Sequence, residues 1–361
     1  MKLYALIMAG GEGKRFWPLS TSDKPKQFLP LLSDKSLLRQ TVDRILPIIP
    51  IERVFIITVG EYAEETLRHI PELPPDNLLV EPERKNTAPC IAYGSLKISG
   101  LDPDSVTAVL PADHAIGNED EYRKVLAFAY EAANSELKEV AAPLITLGVK
   151  SVSPDTGYGY IKAGEQEVLS STRYKALKAL KFTEKPDADT ALRFLKEGYF
   201  WNSGMFIWKT SSIISEYCSM FPQWRPSFDE ISGSLGSSGE ARSVADFYAQ
   251  IEGGSVDKLI LERSENTLVI PVDFPWSDVG SWKALDQYLR KDSMENLIRG
   301  SAVSVDSSSC MVLGEGRTVA LVGVRDVVVV DTKDAVLVLN KESSQDVKKV
   351  LEELDRLGKS N

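Results

Sequence analysis

Directly after the apolar run Leu3–Ala9 the chain reads Ala9-Gly10-Gly11-Glu12-Gly13-Lys14-Arg15-Phe16-Trp17-Pro18-Leu19-Ser20, a glycine-rich turn followed by bases. Lacking a Cβ, glycines let main-chain N–H groups approach a phosphate closely, and the Arg15 guanidinium adds a fork of donors for its oxygens. The wording matches neither common phosphate loop. Phe16 takes the place of the last glycine in a dinucleotide fingerprint; Met8 stands where a P-loop has its first glycine, and Arg15 where Ser or Thr follows Gly-Lys. Asp23-Lys24-Pro25-Lys26-Gln27-Phe28-Leu29-Pro30 brings two more bases to the same region, so the two segments together suggest a polyphosphate site. Two isolated carboxylates could serve it. Asp113 follows the apolar run Val106–Leu110, at the carboxyl end of an expected parallel strand, where ligands of open α/β sheets bind. A carboxylate among phosphate-binding bases suits magnesium; a turn former or helix cap is the alternative. Asp278 precedes a helix starting near Trp282 and carries the same two readings.

These residues need elements to position them. From the N-terminus, apolar runs alternate with helix-period segments: Leu3–Ala9, Leu37 to Leu46, Val54–Val59, Ala63 to Ile70, Ala88 to Ile98, Val106–Leu110 and Tyr122 to Ala133. That alternation argues for βαβ units and a Rossmann-like, mostly parallel sheet, and residues 1–285 read as one α/β domain. Ser232–Gly239 reads as a surface loop between helical segments. After Asn296 the texture changes to short apolar runs every eight to ten residues, from Ala302–Val305 to Val336–Leu339. With the amphipathic tail Gln345–Leu357, residues 297–361 read as a small all-β, β-helix-like unit closed by a helix that packs on it or on a second subunit.

Composition narrows the chemistry. A chain of 361 residues with 43% hydrophobic and 26% charged residues is globular, and its net charge of −10 speaks against non-specific nucleic-acid binding. Three scattered cysteines without a Cys-x-x-Cys suggest no disulfide framework or zinc ribbon and fit a reducing, cytoplasmic compartment. With only His69 and His114, histidine-rich zinc chemistry and a Ser-His-Asp nucleophile are disfavoured. The first apolar run reads as a buried strand rather than a signal peptide, and no run is long enough to propose a membrane span.

The glycine-rich turn and Pro25-Lys26-Gln27-Phe28 together resemble the signature of the sugar-phosphate nucleotidylyltransferases, in the wording of the mannose-1-phosphate guanylyltransferase branch. The same family order continues through Glu81-Pro82-Glu83-Arg84-Lys85-Asn86-Thr87-Ala88-Pro89, Leu110-Pro111-Ala112-Asp113-His114, Thr156-Gly157-Tyr158-Gly159-Tyr160-Ile161, Phe182-Thr183-Glu184-Lys185-Pro186, Trp201-Asn202-Ser203-Gly204-Met205-Phe206 and Trp276-Ser277-Asp278-Val279-Gly280-Ser281-Trp282. The resemblance spans essentially the whole α/β region. It departs from the family at Thr183, often Val there, a change expected to be silent.

The resemblance implies transfer of GMP from GTP to α-D-mannose 1-phosphate, giving GDP-mannose and pyrophosphate, with Mg²⁺ and no organic cofactor. It implies catalytic roles for Arg15, Lys26, Asp113 and Asp278, the two aspartates holding one metal ion. Nucleotide contacts are expected from Ala9, Gly10, Gly11, Gly13, Arg15, Glu81, Asn86, Thr87 and Asp113, with the Glu81 carboxylate suited to guanine's N–H edge. Thr87 and Pro89 also suit a helix start. Sugar-phosphate contacts are expected from Gly159, Glu184, Lys185 and Asn202: a carboxylate accepts sugar hydroxyls, and an ammonium meets the phosphate. His114 is read as structural. A homodimer through the C-terminal unit is expected. With no histidine cluster for the isomerase domain of bifunctional relatives, transferase activity alone is expected. Another base or sugar, or a non-catalytic subunit of the family, are the alternatives; the intact Arg15, Lys26, Asp113 and Asp278 set disfavours the last.

Overall fold

The structure is a computed structural model that describes residues 2–137, 140–286, 288–314 and 316–358. Its contacts divide the chain into two compact units that interleave in sequence. The first holds residues 1–10, 42–111 and 116–276; the second holds 11–41, 112–115 and 277–361.

In the first unit, nine strands form one sheet: β1 (Leu3–Met8), β2 (Val54–Val59), β3 (Leu78–Glu81), β4 (Val106–Pro111), β5 (Leu144–Lys150), β6 (Tyr160–Ser170), β7 (Lys175–Thr183), β8 (Phe200–Lys209) and β9 (Thr267–Val272). Their spatial order is β3-β2-β1-β4-β8-β5-β9-β7-β6. The run β3-β2-β1-β4 is entirely parallel. Every residue of β2, Val-Phe-Ile-Ile-Thr-Val, is buried, as a parallel strand covered by helices on both faces requires. Beyond β4 the sheet is mixed, because β8 runs antiparallel to both β4 and β5 while β5 and β9 are parallel. The β6–β7 hairpin continues this half. Helices α1 (Leu37–Ile45), α2 (Gly60–His69), α3 (Thr87–Leu101) and α4 (Glu119–Asn134) fall on the helix-period segments of the sequence. A glycine-rich stretch ends the helix Arg225–Ser234 and precedes Glu240–Gln250, so the expected loop begins at Leu235 rather than Ser232. The main core gathers Leu6, Phe55, Ile57, Ile91, Val109, Trp208, Tyr217 and Phe247.

The second unit holds six short strands: β10 (Leu297–Arg299), β11 (Ala302–Val305), β12 (Met311–Gly314), β13 (Val319–Val322), β14 (Val327–Asp331) and β15 (Val336–Asn340). Successive turns of chain stack in parallel, Leu297 beside Met311 beside Val328 on one face and Ala302 beside Val319 on another, as in a short β-helix. Antiparallel β15 closes the larger face. Phe16, Leu29, Leu31, Val279, Trp282, Met311, Val328 and Val347 share one buried cluster, so the chain after the glycine-rich turn folds with the C-terminal strands. The last helix, Val347–Arg356, buries only Val347; its Val350, and Leu357 just beyond its end, remain exposed. Among the described residues no helix is long and apolar enough to cross a membrane.

Candidate active site

The chain leaves the first unit for the second after Gly10, after Pro111 and after Trp276. Each departure is followed at once by residues singled out in the sequence: the turn Gly11–Gly13, Asp113, and Asp278. The second unit brings these together. Gly13 has φ 61°, and a Cβ there would lie 2.2 Å from the Lys26 Cβ, so the position demands glycine for both its backbone and its close approach. Ser20 Oγ donates to the Gly13 carbonyl at 2.9 Å and ties down the turn. Gly11 stands in open space.

Lys26 is buried, and its Nζ donates to Asp113 Oδ2 at 2.8 Å and to the main-chain carbonyl of Asp278. One ammonium thus fixes both loops. Burial acts to raise the Asp113 pKa, but the Lys26 charge, His114 and the Lys26 hydrogen bond outweigh it and hold the carboxyl below its usual range. His114 Nε2 lies 4.0 Å from Asp113 Oδ1. The Asp278 Oδ1 accepts the Gly280 N–H at 2.9 Å, and Val279 between them sits at φ 46°, rare for a β-branched residue. Its buried side chain shares the cluster of Phe16 and Trp282, which holds this costly conformation in place. Arg15 reaches the Gly280 carbonyl at 3.5 Å.

Arg15, Lys26, Asp113 and Asp278 all line one cavity of about 370 Å³. Its carboxylates are Asp113, Asp278 and Glu12, the last paired with Lys14, beside cationic groups for phosphate, and among the described residues there is no cluster of three or more side chains that could hold a metal ion. That composition fits magnesium, which takes one or two carboxylates and completes its shell with water and substrate phosphate oxygens. The turn-forming reading of Asp278 is realised as well, since its carboxylate caps its own loop through the Gly280 N–H. Lys348, from the last helix, lines the same cavity and was not marked in the sequence, where its amphipathic helix gave no chemical signal.

The first unit assembles the other residues. Ala9 is buried, its N–H donating to Ile57 O at 2.8 Å and its carbonyl accepting Thr58 Oγ1 at 3.0 Å; both main-chain groups are therefore used inside the sheet layer. A Cβ on Gly10 would lie 3.3 Å from Glu81 Oε2, which places the carboxylate against the end of β1. Glu81 ends β3 and is buried, with Oε1 accepting the Tyr248 hydroxyl at 2.8 Å. Burial lifts its pKa to about 7 against the lowering effects of the Tyr248 hydrogen bond and Arg84. Asn86, at φ 70°, caps α3 by accepting the Thr87 N–H, and Thr87 Oγ1 accepts the Val256 N–H at 2.9 Å. The helix-start role of this segment is therefore real.

Gly159, Glu184, Lys185 and Asn202 also meet in the first unit. A Cβ on Gly159 would lie 2.5 Å from Glu184 Oε2 and 3.3 Å from the Asn202 Cβ, while Lys185 pairs with Glu184. Asn202 is locked: Thr146 Oγ1 donates to its Oδ1 at 3.1 Å, and its Nδ2 donates to Asp257 Oδ1 at 2.7 Å. Asp257 was missed in the sequence, where an acid opening a helical segment signals only a favourable helix start. Burial, followed by the Glu184 charge, raises its pKa to about 6.

The cavity of the second unit thus gathers the glycine-rich turn, cations and carboxylates, a lining suited to phosphate groups. Residues 4–294 match the nucleotidyl transferase family model, and residues 300–354 match the mannose-phosphate isomerase/GMP-like β-helix domain. The chain belongs to the nucleotidyl transferase family. It is 35% identical over 355 residues to a mannose-1-phosphate guanylyltransferase of Klebsiella pneumoniae, covering 97% of this chain and 73% of that protein. It is 33% identical to the alginate biosynthesis protein AlgA of Pseudomonas putida, over 98% of this chain and 72% of that protein. A crystal structure described as mannose-1-phosphate geranyltransferase from Thermus thermophilus superposes with a TM-score of 0.85 at 33% identity, over 98% of this chain and 100% of that one.

Proposed function

We propose that this enzyme transfers GMP from GTP to α-D-mannose 1-phosphate, giving GDP-mannose and pyrophosphate. The observation that carries the reading is the cavity of the second unit, where Arg15, Lys26, Asp113 and Asp278 converge behind a glycine turn. The similarity to mannose-1-phosphate guanylyltransferases supports the choice of substrates. An oxygen of the sugar phosphate attacks the α-phosphorus as the bond from that phosphorus to the bridging oxygen of the β-phosphate breaks. The electron pair leaves with pyrophosphate. A phosphate nucleophile carries no proton to remove, so no general base is needed, and His114 stays structural. Catalysis is then positioning and charge neutralisation.

Arg15 and the N–H groups of Gly11–Gly13 hold the departing phosphates. Lys26 sets the two aspartate loops and neutralises charge near the α-phosphorus. Asp113 and Asp278 would hold Mg²⁺, which when bound supplies positive charge to phosphate oxygens. Glu81 accepts the N–H edge of guanine beside Gly10, with Asn86 and Thr87 shaping the ribose end. Glu184 accepts sugar hydroxyls beside Gly159, the second Nδ2 hydrogen of Asn202 donates to one, and Lys185 meets the sugar phosphate. A homodimer through the second unit is supported by exposed Val303, Val305 and Val322, which share one side of the β11–β13 pair, and by the exposed apolar residues of the last helix.

The test is pyrophosphate release over a matrix of nucleoside triphosphates and sugar 1-phosphates with Mg²⁺. GTP with mannose 1-phosphate is expected to turn over best. Epimer discrimination should be modest, because mannose and glucose differ in one hydroxyl. Equal or better turnover with UTP or dTTP and glucose 1-phosphate overturns the substrate assignment.

A further inference from the structure

We propose that Lys348, on the first turn of the last helix, is a contact for the departing pyrophosphate, so that the C-terminal unit supplies part of the phosphate-binding machinery. The inference rests on the transferase reading of the cavity and adds a residue to it.

Four permanent cations line that cavity: Lys14, Arg15, Lys26 and Lys348. Three of them are already engaged. Lys14 pairs with Glu12 at 2.7 Å, Lys26 bonds Asp113 and the Asp278 carbonyl, and Arg15 reaches Gly280. Lys348 is exposed and makes no hydrogen bond or ion pair with the described residues. Its neighbour Lys349, by contrast, pairs with Asp346 at 2.7 Å. Three carboxylates line the same cavity, so without Lys348 the fixed charges cancel, and Lys348 makes the lining net positive. Added positive charge stabilises a multiply charged leaving group, and a partner-free ammonium gives up no internal bond to provide it.

The fold fixes where this ammonium sits. Val347, the preceding residue, is 2% exposed and belongs to the buried cluster that contains Phe16 of the glycine-rich turn. The start of the helix is therefore anchored to the wall of the cavity, and a four-carbon stem beginning one residue later reaches into it. Val347 holds the helix; Lys348 meets the ligand.

The experiment compares K348A, K348Q and K348R with K349A, which removes the same charge one residue away, all in the full chain. Inorganic pyrophosphate binding is measured by calorimetry with magnesium and with EDTA, and KM is measured for GTP and for mannose 1-phosphate. Losing one charge-assisted contact should weaken pyrophosphate binding about tenfold. KM for GTP should rise with it, KM for mannose 1-phosphate should stay within about twofold, and the defect should shrink in high salt. K348R should keep most of the affinity, and K349A all of it. Parent-like pyrophosphate binding by K348A and K348Q overturns the proposal. So does an equal loss in K349A, which would mean a general field, or a loss confined to mannose 1-phosphate. If the parent itself binds no pyrophosphate and turns over no nucleotide and sugar pair, the transferase reading fails first and this inference fails with it.

Discussion

Glu81 offers a test in which stability and nucleotide binding must move in opposite directions with pH. Its carboxyl is raised from the ordinary 4.5 to about 7 by burial, which outweighs the lowering effects of the Tyr248 hydrogen bond and Arg84. Between those values the folded chain keeps a proton that the unfolded chain has released, so the fold binds more protons and stability is lost as pH rises through this window. A displacement of that size corresponds to roughly 3 kcal/mol by pH 8. If the ionised carboxylate is the form that accepts guanine's N–H donors, GTP binding needs the deprotonated state that the empty fold resists. Apparent GTP affinity should then be about tenfold weaker at pH 6 than at pH 8, level off above pH 7.5, and be accompanied by proton release on binding near pH 6.5. The variant E81Q cannot ionise. It should bind GTP weakly with little pH dependence and should melt higher than the parent at pH 8, while matching or trailing it at pH 5. Calorimetric titration of GTP in two buffers of different ionisation enthalpy counts the protons, and thermal melts from pH 5 to 8 give the stability arm. The γ-phosphate of GTP titrates in the same range, so the difference between parent and E81Q is the quantity read. Identical pH slopes in the two proteins, or the same slope for ATP, would refute the reasoning.

Asp113→Asn and Asp278→Asn should each lower kcat/KM by about 10² to 10³. Because Lys26 ties their loops to one cavity, the double variant should lose much less than the product of the two; simple multiplication across a magnesium titration would mean separate roles. Asp257→Ala removes the acceptor of the Asn202 amide, and is expected to raise KM for mannose 1-phosphate about tenfold while leaving KM for GTP unchanged; equal effects on both substrates would make Asp257 merely structural. Among the described residues the buried Thr183 hydroxyl has no hydrogen-bond partner, so Thr183→Val should stabilise the chain by about 1 kcal/mol in urea denaturation with unchanged kinetics. A destabilised variant would show that the hydroxyl is satisfied in solution. Light scattering at micromolar concentration should give a dimer, and a monodisperse monomer would remove the role assigned to the exposed valines of β11 and β13.

The parallel start of the sheet was legible in the sequence, because continuous apolar runs such as Val54–Val59 can be buried on both faces only between covering helices. Local rules marked the glycine turn and put Asp113 at a strand end, while the metal-ligand reading of Asp113 and Asp278 came from the family resemblance. The short strands after Asn296 were legible from their spacing, but their parallel stacking was not. Tertiary structure alone decided the rest. Residues 11–41 join the C-terminal strands in one unit, since Phe16, Leu29 and Leu31 are simply apolar until a shared core assigns them to Trp282 and Met311. The antiparallel insertion of β8 could not be read from strands whose periodicity is the same in either direction. Asp257 and Lys348 carried no local signal, because what makes them functional candidates is a neighbour far away in sequence: the Asn202 amide for one, the cavity lined by Arg15 and Lys26 for the other. Charge and hydrogen-bonding capacity belong to the residue type, but whether they remain unspent is settled only when packing brings distant segments together.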